Sequence, residues 1–113
     1  MAGRLKRISG PAHLANAVAN IYTPAASTIE TVIKQIHVAN KTGAAATFTL
    51  YIGATGTNVA GTEIALAKSV AANDYTEIFF SPGLMMVSAD FLTGLASAAA
   101  TLTITVMGEQ AVV

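Results

Sequence analysis

The sequence predicts an all-β domain: a single antiparallel β-sandwich, jelly-roll-like or Ig-like, of about 7–8 strands, with a basic N-terminal arm. Three observations carry that expectation. Two segments, Thr47–Ile52 and Thr101–Val106, alternate polar side chains, chiefly threonine, with large apolar residues. Turn residues recur at short intervals between apolar runs. The length of 113 residues suits one domain able to bury a core without metals or disulfides. The expected division is an arm over residues 1–12 and a sandwich over residues 13–113.

The arm opens on Arg4, Lys6 and Arg7, three of the six basic residues. The remaining three (Lys34, Lys41, Lys68) stand against six carboxylates, Glu30, Glu63, Asp74, Glu77, Asp90 and Glu109. The start therefore carries +3 and the rest −3, summing to the net charge of zero. A basic arm suits an acidic patch on a neighbouring subunit. The alternative is a frayed, solvated terminus. Three charges without interleaved aromatic rings leave only a small phosphate footprint, so nucleic acid is not an expected partner. Ser9-Gly10-Pro11 follows where a secretory signal needs an apolar segment, which argues against one.

A first strand is expected over Val18–Thr23, stopped by Pro24. Helix competes over Ala12–Asn20 because alanine favours it. Thr28–Asn40 reads as a strand with Ile36 and Val38 as its core pair and His37 on the opposite face. Its start breaks simple alternation, which a bulge near Ile33 explains. Asn40-Lys41-Thr42-Gly43 is a connector with asparagine and glycine for positive φ. In Thr47–Ile52, Phe48, Leu50 and Ile52 point inward and Thr47, Thr49 and Tyr51 outward. The glycines from Gly53 to Gly61 mark a loop. They evoke a phosphate loop only superficially, because the terminal Gly-Lys-Ser/Thr is missing.

Thr62–Leu66 and Tyr75–Phe80 are two further strands, with Ala72-Asn73-Asp74 as the turn between them. Ser81-Pro82-Gly83 reads as a type II turn. Leu84–Val87 and Phe91–Leu95 supply one or two short strands. Helix competes over Ala96–Ala100, but Gly94, Ser97 and the following strand oppose it. In Thr101–Val106, Leu102, Ile104 and Val106 form the inward row, and threonine suits the outward one.

The surface is unusual for a solitary protein. Only 11% of residues are charged, against roughly 25% in typical soluble domains. Low charge near neutrality favours association, although a neutral threonine-rich surface on a monomer is the alternative. In Leu84-Met85-Met86-Val87, alternation hides only half of the side chains. Either Met85 and Val87 or Leu84 and Met86 need another cover, from a second core layer or from a neighbouring subunit. The candidate interface is therefore Arg4, Lys6 and Arg7 together with Leu84, Met85, Met86 and Val87. No apolar run approaches the roughly 20 residues that span a bilayer, so no membrane partner is expected.

No catalytic constellation is visible. His13 and His37 lack a second ligand at metal-binding spacing. The carboxylates are scattered singly, and no serine stands in a nucleophile-elbow context. With no cysteine, neither disulfides nor thiolate metal sites are available. The expectation is no enzyme activity, no cofactor and no metal. The best ligand hypothesis is a sugar stacked on an exposed ring. Tryptophan is absent, and Tyr22, Tyr51 and Tyr75 are the rings available; Tyr51 falls on the outward face with Thr47 and Thr49, and packing on a second sheet or a neighbouring subunit is its alternative.

Several segments together resemble a known class. They are Gly3-Arg4-Leu5-Lys6-Arg7-Ile8-Ser9-Gly10-Pro11, Tyr22-Thr23-Pro24-Ala25, Ile36 to Gly43, Phe48 to Gly53 and Ala99 to Glu109. Over most of its length the chain is similar to small β-sandwich virion structural proteins of tailed bacteriophages. The resemblance implies a non-enzymatic capsid decoration (cement) or minor capsid protein that stabilises the phage head. A tail or head–tail accessory subunit, or a carbohydrate-binding adhesion module on the virion, is the alternative. It further implies the major capsid protein or other virion subunits as partners, a homo-oligomer with a trimer favoured, and a virion location after assembly in the host cytoplasm. No functional residue carries over, because the class has no catalytic motif.

Overall fold

The computed structural model describes residues 5–24, 28–53, 63–87 and 90–112. They form eight strands and no helix: β1 (Lys6–His13), β2 (Ala19–Tyr22), β3 (Thr28–Asn40), β4 (Ala46–Gly53), β5 (Glu63–Val70), β6 (Asp74–Met86), β7 (Phe91–Ala96) and β8 (Leu102–Val112). Two four-stranded antiparallel sheets result, in the orders β1-β8-β3-β6 and β2-β7-β4-β5. All but one of the connections switch sheets; the exception is β4 to β5. That order is a jelly roll, two Greek keys wrapped together. An Ig sandwich would set four strands against three in a different order.

Alternation builds the core. Ile36 pairs with Val106 and Ile78, and Val38 pairs with Ile104 and Thr76. Facing them, Phe48, Leu50 and Ile52 pair with Ala96, Gly94 and Leu92. Ile33, Ile36, Val38, Phe48, Leu50, Leu92, Leu102 and Val106 are essentially inaccessible. Burying each such side chain contributes roughly 1.5–3 kcal/mol. Side-chain bonds stitch the sheets together at one side: Ser9 Oγ donates to the Ile21 carbonyl at 3.1 Å, and the Tyr22 and Thr31 hydroxyls lie 2.9 Å apart.

The structure departs from the sequence expectations in four places. The stretch expected as an arm, residues 1–12, enters the sheet from Lys6 onward, where Lys6 and Arg7 pair with Gly108 and Met107 of β8. Gly10 has φ +80°, and a Cβ there would lie 2.3 Å from the Ile104 carbonyl, so only glycine lets β1 lie this close to β8. Second, the strand expected over Thr62–Leu66 runs on to Val70. The alanine-rich segments, where helix competes, are not helices, in line with the strand expected over Val18–Thr23: β1 ends at His13, β2 starts at Ala19, and Ser97–Thr101 is a loop in which Ala100 takes φ +58°.

Third, Ser81-Pro82-Gly83 is not a turn. It lies within the continuous strand β6. Gln35 pairs with Phe79 and Ile33 with Leu84, so a two-residue step on β3 faces a five-residue step on β6. The extra residues bulge outward, and Lys34 Nζ holds the bulge by donating to the Pro82 carbonyl at 2.6 Å. The β3 irregularity expected near Ile33 is present at the same place. Fourth, the Asn40–Gly43 connector turns from one sheet to the other, and neither Asn40 nor Gly43 has positive φ. Asn40 works through its amide instead. Its Nδ2 donates to the Ala44 and Val70 carbonyls at 2.9 and 3.1 Å, and its Oδ1 accepts from the Thr42 N–H and hydroxyl at 2.9 and 2.7 Å.

Candidate assembly surface

The predicted interface residues fall at two separate places. Lys6 and Arg7 are exposed on β1, an edge strand; Arg4 lies outside the described residues. The apolar patch splits as alternation requires. Met86 is 0% exposed and belongs to the core, and Leu84 packs against that core. Met85 is 58% exposed and Val87 46%. Any contact made by this patch is made by Met85 and Val87.

The remaining exposed large apolar residues extend the pattern. Six are exposed among the described residues: Leu5, Leu66, Tyr75, Phe79, Met85 and Val87. Five of these lie on β5, on β6 or directly after it. Those two strands are the edges of their sheets and touch each other, so they form one flank of the sandwich. Strand β5 bends at its own bulge. Phe48 and Leu50 pair with Lys68 and Ala65, a two-residue step facing a three-residue step. Ala67 takes φ +46° there, and its N–H donates to Thr49 Oγ1 at 3.0 Å. Leu66 projects from that bulge, 70% exposed.

On the outer face of β6, Tyr75, Glu77 and Phe79 stand in line, register-paired with Ala39, His37 and Gln35. Glu77 Oε2 accepts from Gln35 Nε2 at 2.7 Å and lies 3.2 Å from His37 Nδ1. The His37 and Tyr75 rings stack with centroids 5.1 Å apart and planes 24° apart. Sequence spacing hides this cluster, because its members are up to 42 residues apart. The alternation of Tyr75, Glu77 and Phe79 with Thr76, Ile78 and Phe80 was the available signal. His13, in contrast, is exposed on β1 opposite Thr103.

Tyr51 does face outward, but it is half-buried and register-paired with Thr93 and Glu63. Residues 54–62, which include most of the glycine loop, lie outside the described residues. No group of three or more His, Cys, Asp or Glu side chains among the described residues could hold a metal ion.

No family model matches the chain, and no curated protein matches it. Among solved structures, it is similar to a chain from the structure of Bacillus endospore appendages, described as forming a novel family of disulfide-linked pili. The similarity covers 100% of this chain and 91% of that one, with a TM-score of 0.54 and 17% identity. At that identity the two share a fold.

Proposed function

We propose that this chain is a non-enzymatic structural subunit that assembles through its β5/β6 flank, with a tailed-phage virion as the assembly and capsid decoration or a minor capsid position as the role. One observation carries this reading: five of the six exposed large apolar side chains among the described residues line one flank. Scattered apolar residues are ordinary on a monomer, but a collected set marks a contact surface. Low charge density and the resemblance to small virion β-sandwich proteins support the same reading. Assembly would add stability by mass action, since only the folded form joins it.

A second reading has its own support, the likeness in fold to a chain of disulfide-linked pili. In that reading the subunits associate head to tail, and a rotation that does not close gives a filament instead of a ring. With no cysteine in the 113 residues, such a filament would be held by non-covalent contacts. Two measurements test these readings. Analytical ultracentrifugation should give a closed oligomer, with a trimer expected. A particle reconstruction should place the protein at regular sites on the head. A monomer at all concentrations that also fails to bind capsids would refute the assembly reading. Filaments in negative-stain micrographs would select the second.

A further inference from the structure

We propose that the cleft at the Tyr75 end of β6 is a saccharide-binding site, open in the free subunit and at the opposite end of β6 from Met85 and Val87. The cleft has a volume of about 460 Å³ and lies where the β3–β4 corner meets the β5–β6 turn. Its walls include His37, Lys41, Asn73, Asp74 and Tyr75. That volume falls in the range of small-ligand sites, roughly 300–1,000 Å³.

The floor is an aromatic platform held in place before any ligand arrives. One face of the Tyr75 ring packs on the His37 imidazole, yet the residue remains 59% exposed, so the opposite face is the open one. His37 is itself fixed by Glu77, and Glu77 by Gln35. A ring immobilised in advance loses little conformational freedom when a ligand stacks on it.

The rim supplies both donors and acceptors. Asp74 Oδ1 accepts the Tyr75 N–H at 2.8 Å, which orients the carboxylate and leaves Oδ2 for a ligand hydroxyl. Asn73 is exposed at φ +56°, and its N–H donates to the Thr42 carbonyl at 3.0 Å. That bond anchors the turn from which Asn73 and Asp74 project. Lys41 adds an exposed ammonium. The Asn40 amide is spent on the corner and contributes only wall.

This combination selects a ligand class. A cleft this open leaves much of an apolar ligand in water. A single lysine beside Asp74 is a poor anion site. A sugar ring has one flat C–H face for the tyrosine and hydroxyls that both donate and accept, which matches the mixed rim. The platform is Tyr75, not the half-buried Tyr51.

Saturation-transfer difference NMR on the full chain tests the assignment, with glucose, galactose, mannose and N-acetylglucosamine as separate probes, alongside an oligosaccharide array. At least one probe should receive saturation on its ring protons. Tyr75→Phe should keep that binding within about twofold, because the stacking face survives. Tyr75→Ala and Asp74→Ala should each weaken it about tenfold. Both side chains are exposed, and an unchanged amide spectrum confirms that the variants fold. Absence of any sugar contact with the parent protein overturns the proposal. So does parental binding by Tyr75→Ala, or loss of binding in Tyr51→Ala alone.

Discussion

The two flanks of the sandwich leave different side chains at their open edges. At the β1/β2 flank the strands are drawn in tightly. Gly10 lets β1 approach β8, Ser9 bonds across to β2, and the exposed residues there include Lys6, Arg7, His13 and Asn20. All four edge strands carry bulges, but at the β5/β6 flank Leu66, Phe79 and Met85 are left in solvent. Bulges, charges and prolines normally protect an edge from pairing with other chains. Pro82 and its bulge interrupt β6 in this way, yet the residues beside the bulge are apolar. One flank is finished as a surface. The other is stopped from forming a continuous sheet but left able to pack by its side chains.

If close backbone approach holds β8, the strand that carries β1, against β3, adding one carbon there should have the largest effect. A Cβ at Gly108 would lie 2.1 Å from the Val32 carbonyl and 3.0 Å from Ile33 Cα, both backbone atoms of β3. Rotamer change cannot relieve that contact, so β8 and β3 must separate. Gly108→Ala should lose about 3 kcal/mol or more in urea denaturation. Gly43→Ala, where nothing lies within 4 Å, should differ from the parent by less than about 0.5 kcal/mol. Similar losses for the two variants would show that β8 is not held to β3 by close approach.

The second flank depends on a polar corner. Asn40 is buried and makes four hydrogen bonds that join the end of β3, the β3–β4 corner and the end of β5. Asn40→Ala strands the Val70 carbonyl and leaves the Ala44 carbonyl to the Thr42 hydroxyl alone, and the expected loss is about 2 kcal/mol. Asn40→Asp retains the acceptor but not the donors, and should recover only part of it. Hydrogen exchange should show the loss first in β5. Uniform loss across both sheets would mean that the corner supports the whole domain and not one flank.

The first flank was much less legible in the sequence than the middle of the sheets. Thr47–Ile52 and Thr101–Val106 announce themselves because each is buried on one face only, so composition alternates with orientation. The β3 bulge was legible because Val32, Ile33 and Lys34 break that rhythm. Lys6 to Ile8 carries no such rhythm, because an edge strand needs few buried side chains, and it reads as a charged tail. Pro82-Gly83 carries a genuine local turn signal. Pairing of both halves of β6 with β3 overrides it, and that depends on residues more than 40 positions away. The jelly-roll order and the His37–Glu77 contact were illegible for the same reason: both are facts of register between strands.

The apolar residues of the β5/β6 flank should matter for association and little for folding. Phe79→Ser and Met85→Ser remove side chains that are already 69% and 58% exposed. Each should change unfolding free energy by no more than about 0.5 kcal/mol. Sedimentation velocity should nevertheless show the double variant shifted towards monomer. Met86→Ser, one residue further along, replaces a fully buried side chain and should cost about 2–5 kcal/mol. An adjacent pair of substitutions therefore separates contact from core. Unaltered association of the double variant would move the interface away from this flank.

The smallest effect is expected at Lys6 and Arg7. Both lie on an edge strand with exposed side chains, so neutralising them barely changes folding. Lys6→Gln with Arg7→Gln should alter unfolding free energy by less than about 0.5 kcal/mol. If the β1 edge meets an acidic surface in the assembly, the parent should associate more weakly as salt rises, with screening strong beyond about 10 Å at 0.1 M. The double variant should lose that salt dependence while retaining the apolar contribution from Phe79 and Met85. Deleting residues 1–10 cannot make this test, because it removes most of β1 and exposes β8. The point substitutions leave the strand in place and change only its charge. Equal salt responses in parent and variant would leave the β5/β6 flank as the sole contact and the β1/β2 flank as plain surface.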